Sequence, residues 1–221
     1  IGTGKSTASR QIAEAGARLI DADALSRSAT EPGRPALKEI VARFGMGLVD
    51  DAGFLNRAAL ASLVFADETA RLDLEAIVHR QVVSDIDRLL EEWEREGFSG
   101  VVVLDVPIPI KRGFQDVCDE IWVVEAPEDV RVERVRVRSK LSSEAVRTRM
   151  AAQPAITAYR ALAGRILPND GSEEQLEKRV QVALAEFLAN HGRSVQSCEG
   201  REASDTLETR TGVAPVQEDA P

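Results

Sequence analysis

Apolar and polar residues follow one another along the chain in the pattern of an α/β protein. Four short apolar runs predict buried parallel strands at residues 18–20, 101–104, 121–124 and 165–167. Stretches with apolar residues at helical spacing predict helices at residues 8–15, 35–44, 57–65, 67–96, 127–138, 142–153 and 172–189. We therefore expect a parallel sheet covered by helices.

Two segments depart from a simple alternation of strands and helices. About 80 mostly helical residues separate the strands at 18–20 and 101–104, which is too long for an ordinary crossover. We expect a helical insertion over the strand ends, at about residues 24–97. From residue 193 the chain has no aromatic residue and is rich in Ser, Thr, Gly, Pro and Glu. We expect one folded domain over residues 1–192 and an acidic, disordered tail over 193–221.

The first seven residues read Ile-Gly-Thr-Gly-Lys-Ser-Thr, the second half of the phosphate-loop motif G-x-x-x-x-G-K-[ST]. The motif's first Gly would lie upstream of Ile1, so we expect the sequence to be a fragment that lacks the strand leading into the loop. In this motif backbone N–H groups and the Lys bind phosphates, and the Ser hydroxyl binds Mg²⁺. A Gly-rich turn that contains GKS by chance is the alternative. The helical pattern that follows at once, ending near Gly16, favours the phosphate loop.

Carboxylates follow two of the predicted strands. Asp21 and Asp23 follow the strand at 18–20, and Asp105 follows the strand at 101–104. Ligands bind beyond the carboxyl ends of parallel strands, where a carboxylate can accept a proton or bind a water on Mg²⁺. The alternative for Asp21 and Asp23 is an N-terminal helix cap, because Asp is favoured at that position.

A cluster of basic residues stands out against the acidic composition. Residues 131–140 contain four Arg and one Lys but a single Glu. A solvated helix face is the alternative, but guanidinium groups match phosphoryl oxygens, which favours a phosphate-facing lid.

Overall charge and composition exclude several classes of protein. Lys and Arg number 28 against 37 Asp and Glu, a net charge of -9 with a pI near 4.9, which argues against nucleic-acid binding. No apolar run approaches the ~20 residues of a membrane helix, and no charged-then-apolar leader opens the chain, so we expect a cytoplasmic protein without membrane contacts. Cys118 and Cys198 form no C-x-x-C or Cys/His cluster, which argues against a disulfide framework and a zinc site.

Taken together, these motifs resemble the dephospho-coenzyme A (dephospho-CoA) kinase family over about residues 1–190. The resemblance rests on the phosphate loop and on further stretches in the family's order: Ile20-Asp21-Ala22-Asp23, Glu31-Pro32-Gly33, Arg43-Phe44-Gly45, Leu55-Asn56-Arg57, Val64-Phe65, His79, Asp105-Val106-Pro107, Arg134 and Arg138, Arg147-x-Arg149-x-x-x-Gln153, and Asn169-x-Gly171-Ser172.

This resemblance implies a P-loop NTPase three-layer α/β fold with a parallel sheet, a helical substrate-binding insertion and an Arg-bearing lid at about residues 134–153. It implies transfer of the γ-phosphate of ATP to the ribose 3'-hydroxyl of dephospho-CoA, with Mg²⁺ as the cofactor. Asp23, Lys5 and Arg138 would be catalytic, with Asp23 as the base, and Ser6 would bind the metal. ATP would contact Gly2, Thr3, Gly4, Lys5, Ser6, Thr7, Arg134, Arg138 and Asn169, and the acceptor would contact Asp23, Arg57, His79 and Asp105.

The chain also departs from the family pattern in three places. Ile108 to Lys111 replace a usual Leu-Leu-Phe-Glu, Arg80 and Val83 replace a Pro and a basic residue, and Tyr159 replaces a common Lys. Two alternatives to an active dephospho-CoA kinase therefore stay open. One is a catalytically impaired nucleotide-binding module that regulates or binds a partner, and the other is a kinase for another small hydroxyl acceptor.

Overall fold

A computed structural model of the chain describes residues 1–106 and 118–195, with side chains up to residue 191. Its strands are β1 Arg18–Asp21, β2 Val102–Asp105, β3 Trp122–Glu125 and β4 Arg165–Pro168. Its helices are α1 Lys5–Glu14, α2 Ala22–Ser28, α3 Pro35–Phe44, α4 Arg57–Ala66, α5 Glu68–Arg95, α6 Glu128–Ser139, α7 Ser143–Ala151, α8 Ile156–Arg160 and α9 Glu173–Val195, with a 3₁₀ helix at Met46–Leu48. The alternation of apolar runs therefore predicts the strands to within one residue.

The strands pair in parallel, as predicted. β1 pairs with β2 and β3 pairs with β4, so the described residues form two two-stranded parallel sheets. Helix α1 packs against β1, β2 and β3. Asp21 is the register partner of Asp105, which brings the carboxyl ends of β1 and β2 side by side.

The strands are predicted to be buried, but some of their apolar side chains are exposed. Ile20 and Leu167 are buried, but Leu19 and Ile166 expose 40% and 43% of their surface. Successive side chains of a strand point to opposite faces, so burial on one face gives this alternation. The prediction is correct for one face of β1 and of β4 and wrong for the other.

Side-chain caps explain where several helices begin. Asn56 accepts a hydrogen bond from the backbone N–H of Ala59 at 3.0 Å and starts α4. Asp67 and Ser142 make the same type of contact and start α5 and α7. Such caps satisfy backbone N–H groups that have no partner within the helix.

The segment between β1 and β2 is helical, as predicted, and has its own core. Helices α2, α3 and α4 pack against the 28-residue helix α5. The core of this region consists of Ala29, Ala36, Ile40, Leu48, Leu60 and Ile77. A second cluster, in which Ile20 of β1 packs with Val82 and Ile86 of α5, joins this region to the first sheet.

Differences from the predicted helices are confined to short elements and helix ends. Helix α8 and the 3₁₀ helix are too short to show an amphipathic period, and the sequence does not predict them. Helix α9 continues to Val195, beyond its predicted end near residue 189. Residues 107–117 and 196–221 lie outside the described residues, and with them the departure at 108–111 and most of the predicted tail. The strand expected upstream of Ile1 stays a prediction.

Contacts divide the structure into two compact units. The first, Ile1–Val182, holds every residue of the site described below. The second begins at Ala183 and includes the end of α9, where the rings of Phe187 and His191 stack with centroids 4.3 Å apart. None of the helices in the described ranges combines the length and apolar character that crossing a membrane requires.

Candidate phosphate-binding site

The phosphate-loop motif folds as a tight loop that leads directly into α1. Gly2 and Gly4 have φ angles of 77° and 93°, a left-handed conformation that glycine adopts without strain. Helix α1 begins at Lys5, so the positive end of its dipole lies at the end of the loop. This arrangement of N–H groups and helix dipole favours binding of a phosphate.

Both glycines also allow other parts of the chain to approach the loop closely. A Cβ on Gly2 would lie 2.8 Å from the carbonyl oxygen of Arg131 on α6. A Cβ on Gly4 would overlap Nδ2 of Asn169, which follows β4. Helix α6 therefore packs closely on the loop at Gly2, and the segment after β4 packs closely on it at Gly4.

Lys5 lies among the three carboxylates that the sequence places at the strand ends. Its Nζ contacts Oδ1 of Asp105, a residue that is 8% exposed. Burial lowers the pKa of Lys5, and the negative charges of Asp23 and Asp21 act in the opposite direction. The structure thus brings together Lys5, Asp21, Asp23 and Asp105.

The two aspartates after β1 have different roles in the fold. Asp21 is the N-cap of α2, and its Oδ1 accepts a hydrogen bond from the backbone N–H of Ala24 at 3.0 Å. The helix-cap interpretation of Asp21 is therefore confirmed. Asp23 lies in the first turn of α2 with an exposed side chain, and its carboxylate is near enough to Lys5 to affect the pKa of that lysine.

Basic residues of α6 border the start of the loop. Arg131 donates a hydrogen bond from Nε to the carbonyl oxygen of Ile1 at 2.9 Å. The side chains of Arg131, Lys5 and Arg138 lie close enough to Ile1 for their positive charges to act at the start of the loop. Arg138 is exposed and has no ion-pair partner within the described parts of the chain.

The resemblance implies that Arg134 contacts phosphates, whereas in the structure it contacts oxygen atoms of the protein. Its guanidinium donates to the backbone oxygen of Asn169 at 3.0 Å, to Oδ1 of Asn169 at 3.2 Å and to the backbone oxygen of Gly171 at 3.0 Å. The structure therefore places the guanidinium of Arg134, a residue of α6, against the segment after β4. Its predicted contact with ATP stays a prediction.

Asn169 connects this segment to the phosphate loop itself. Its Nδ2 donates a hydrogen bond to the carbonyl oxygen of Thr3 at 2.7 Å, and the residue is 4% exposed. Arg179 of α9 binds the same segment, through the carbonyl oxygen of Pro168 at 2.5 Å and Oδ1 of Asp170 at 2.7 Å. The sequence does not indicate the role of Arg179, because nothing distinguishes it locally from the other charged residues of α9.

Of the two predicted acceptor residues in the helical region, Arg57 makes local hydrogen bonds, and the acceptor contacts of both stay predictions. Arg57 donates from Nη2 to the carbonyl oxygen of Arg27 at 3.0 Å and to Oγ1 of Thr30 at 2.7 Å. It therefore binds the start of α4 to the end of α2. His79 lies half-buried on α5. Arg80, one of the departures from the family pattern, forms an ion pair with Glu39 of α3 at 2.6 Å.

Arg34 and Asp85 form an ion pair in the helical region that the sequence does not predict, and its carboxylate is buried. Arg34, just before α3, donates from Nη2 to Oδ2 of Asp85 on α5. Asp85 is 4% exposed, and its other oxygen accepts a hydrogen bond from Gln81 at 3.3 Å. Because 51 positions separate Arg34 and Asp85, no local pattern signals their contact.

The oxygen ligands available near the loop have the chemistry that Mg²⁺ prefers. Ser6 follows Lys5 in the first turn of α1 with an exposed side chain, and Asp105 ends the adjacent strand β2. Within the described ranges no three acidic, Cys or His side chains are grouped closely enough to bind a metal by themselves. Mg²⁺ commonly takes one or two protein oxygens, waters and substrate phosphates, so the residues fit this ion.

Parallel strands, a glycine loop and a helix that begins at its lysine define a mixed α/β protein consistent with the phosphate-binding-loop fold. The family model described as dephospho-CoA kinase matches residues 1–175. The chain therefore belongs to the dephospho-CoA kinase family, as the sequence resemblance indicates.

Individual relatives are similar over most of their length. The dephospho-CoA kinase of Thermobifida fusca is 43% identical over 180 residues, which cover 81% of this chain and 88% of the relative. That of Geobacter sulfurreducens is 39% identical over 181 residues, which cover 82% and 91%. The crystal structure of a Thermus thermophilus protein, 36% identical, superposes with a TM-score of 0.66 and covers 85% of this chain and 93% of its own. The dephospho-CoA kinase from Campylobacter jejuni, 22% identical, shows the same fold with a TM-score of 0.63, covering 86% and 94%.

Proposed function

We propose that the protein catalyses the ATP-dependent phosphorylation of the ribose 3'-hydroxyl of dephospho-CoA, which gives coenzyme A and ADP. The observation that carries this proposal is the position of Lys5. It lies at the start of α1, beside Asp105 and near Asp23, in a chain of the dephospho-CoA kinase family. A phosphate-binding loop next to carboxylates at strand ends can bind the phosphates of ATP and activate the attacking hydroxyl, the two requirements of a phosphoryl transfer.

The phosphate loop binds the triphosphate of ATP. Residues Gly2, Thr3 and Gly4 offer backbone N–H groups, Lys5 offers its ammonium group, and Ser6 and Thr7 lie in the first turn of α1. When Mg²⁺ is bound it neutralises negative charge on the phosphates. Ser6 and Asp105 would hold this ion.

Asp23 accepts the proton of the attacking hydroxyl. The 3'-oxygen forms a bond to the γ-phosphorus while the bond between that phosphorus and the β–γ bridging oxygen breaks, and ADP leaves with that oxygen. Exposure of Asp23 in the first turn of α2 leaves its carboxylate open to an acceptor that approaches from the helical region. An acceptor bound there would lie near Arg57 and His79.

Arg138 stabilises the charge that develops on the transferred phosphoryl group. Its guanidinium is exposed and unpaired in the described structure, while its charge is felt at the start of the phosphate loop. Helices α6 and α7 would then form the lid predicted at residues 134–153. A lid arginine that reaches the phosphates only when they are bound needs this freedom. The cytoplasmic location expected from the sequence fits this reaction and stays a prediction.

An acceptor screen tests the proposal. Full-length protein is incubated with ATP, Mg²⁺ and one acceptor at a time, either dephospho-CoA, adenosine or uridine, and ADP and the phosphorylated product are measured. We expect rapid, stoichiometric formation of coenzyme A and only background ADP with the two nucleosides. Faster phosphorylation of a nucleoside would point to another acceptor, and ATP binding without transfer to any acceptor would point to an impaired nucleotide-binding module.

A further inference from the structure

The segment between β4 and α9 is held in place by two arginines from different helices. Arg134 of α6 donates to the backbone oxygens of Asn169 and Gly171, each at 3.0 Å. Arg179 of α9 donates to the backbone oxygen of Pro168 at 2.5 Å and to Asp170 at 2.7 Å. Hydrogen bonds from charged donors are stronger than neutral ones, so this short segment is firmly fixed.

The side chain of Asn169 connects this fixed segment to the phosphate loop. Its Oδ1 accepts from Arg134 at 3.2 Å, which leaves Nδ2 to donate to the carbonyl oxygen of Thr3 at 2.7 Å. Both ends of the buried carboxamide are therefore used, and its orientation is set by Arg134. Gly4 leaves the space that Nδ2 occupies.

The direction of the Thr3 carbonyl matters for phosphate binding. In a trans peptide the carbonyl oxygen and the next N–H point in opposite directions. Since the Thr3 oxygen is bonded to Asn169, the N–H of Gly4 points away from Asn169, on the side where a phosphate can accept from it. A carbonyl oxygen turned toward the phosphate would instead repel it, and two glycines at positive φ leave the loop free to make that turn.

We propose that Arg134 and Asn169 are positioning residues for the phosphate loop: Arg134 orients the carboxamide of Asn169, and Asn169 holds the Thr3 carbonyl away from the bound phosphates. The inference rests on the proposed function only in taking a nucleoside triphosphate as the ligand. It differs from direct contact of Arg134 with phosphates or of Asn169 with adenine, and it predicts a loss of affinity that does not depend on the base.

The first test compares two ligands, ATP and inorganic tripolyphosphate, by titration calorimetry with Mg²⁺ and full-length protein. In Asn169→Asp an oxygen replaces Nδ2 and faces the Thr3 carbonyl, while the contact with Arg134 is kept. We expect the affinity for both ligands to fall by the same factor, about tenfold or more. A loss with ATP but none with tripolyphosphate would mean that Asn169 contacts the base and would overturn the inference. Asn169→Ser, which removes Nδ2 without adding charge, replaces this variant if it does not fold.

The second test is a double-mutant cycle with Arg134→Gln and Asn169→Ser, with Arg136→Gln as the matched control on the same helix. Arg136 pairs with Glu133 at 2.8 Å on an exposed face, and its variant should bind tripolyphosphate normally. If Arg134 acts through Asn169, the double variant loses clearly less affinity than the product of the two single losses. Losses that multiply would mean that Arg134 contacts the phosphates itself. Because both tests measure binding without an acceptor, they remain decisive even if the protein forms no coenzyme A, which would refute only the proposed function.

Discussion

Lys5 and Asp105 are in direct contact at the edge formed by the carboxyl ends of β1 and β2. The lysine belongs to the phosphate loop, and the aspartate ends a strand that lies about 100 positions further along the chain. Parallel pairing places Asp21 beside Asp105, so the lysine faces a locally acidic edge. Phosphates that bind the loop must share this lysine with the carboxylate or displace it.

Replacing Lys5 and replacing Asp23 should have different effects on the reaction. Lys5→Ala should weaken ATP binding and lower turnover together, because the ammonium contacts phosphates in the ground state and the transition state. Asp23→Asn should leave ATP affinity within a few-fold and lower turnover by ~10²-fold or more, because a base acts when the hydroxyl attacks. ATP affinity is measured by calorimetry and turnover by coenzyme A formation. Turnover of Asp23→Asn within about threefold of the parent would remove Asp23 from the role of base, because loss of a general base typically costs ~10²-fold or more in rate.

The surroundings of Lys5 also predict a pH effect on ATP binding. Burial lowers the pKa of Lys5 and the Asp23 carboxylate raises it, so removing that carboxylate should lower the pKa further. Since the protonated lysine binds phosphate, the loss of ATP affinity at alkaline pH should begin at lower pH in Asp23→Asn. Asp21→Asn should shift the profile in the same direction by less, because Asp21 is the weaker of the two influences.

To check this prediction, ATP affinity is measured by calorimetry from neutral pH to about pH 10. This range ends just below the usual pKa of a lysine. Asp73→Asn is the control, because Asp73 pairs with Arg43 at 2.7 Å in the helical region, whereas the carboxylates that act on Lys5 are Asp23 and Asp21. An alkaline limb that stays in place in Asp23→Asn would show that Lys5 does not govern the pH dependence.

Much of the fold and of the phosphate loop can be predicted from local sequence. The strands appear as short apolar runs, and the long helices as apolar periods, because each pattern follows from which faces are buried. The loop is predictable because its glycines, lysine and serine are adjacent in sequence. The acidic edge is predictable because the carboxyl ends of parallel strands lie at one side of a sheet.

The contacts that the sequence does not predict join residues far apart along the chain. Asn169 reaches Thr3 across 166 positions, and Arg34 reaches Asp85 across 51. Neither pair leaves a periodic pattern in the sequence. For the same reason the family motifs indicate that Arg134 and Asn169 contact ATP, whereas the structure shows that they contact each other. The role of Asp21 is also not fixed by its sequence. An aspartate between a strand and a helix can contact a ligand or cap the helix, and only the hydrogen bond from the N–H of Ala24 identifies it as a cap.

Two arginines on α6 should respond differently to the same conservative replacement. Arg138→Lys should lower turnover by ~10-fold or more although the charge is kept, because an ammonium cannot supply the planar fork that matches a phosphoryl group. Arg136→Lys should have little effect, because Arg136 lies two positions away on another face and pairs with Glu133. Steady-state rates at saturating ATP and dephospho-CoA measure both. Equal losses would indicate bulk positive charge and contradict the assigned role of Arg138.

Alanine variants of Gly4 and Gly16 should distinguish the cost of backbone strain from the cost of steric overlap. Both have positive φ, 93° and 104°, so alanine at either should cost about 1–2 kcal/mol of stability through the left-handed backbone. A Cβ on Gly16 meets nothing within 4 Å, whereas one on Gly4 overlaps Nδ2 of Asn169. Gly4→Ala should therefore destabilise the protein more and also weaken ATP binding, while Gly16→Ala binds ATP normally. Urea unfolding and calorimetry test this, and equal unfolding free energies for both variants would contradict the close packing of Asn169 on the loop.

The ion pair between Arg34 and Asp85 should stabilise the helical region more than an exposed pair between the same two helices. Asp85 has a side chain only 5% exposed, so Arg34→Ala would leave a buried carboxylate with Gln81 as its remaining side-chain partner. We expect a loss of about 2–3 kcal/mol in the free energy of unfolding, somewhat below the usual cost of breaking a fully buried pair because Arg34 itself is 32% exposed. Arg43→Ala is the matched control. Arg43 pairs with Asp73 at 2.7 Å, both side chains are more than two-fifths exposed, and such pairs contribute about 0–1 kcal/mol. Urea denaturation of the two variants measures the difference, and a loss for Arg34→Ala no larger than that for Arg43→Ala would show that Asp85 regains solvent or another partner.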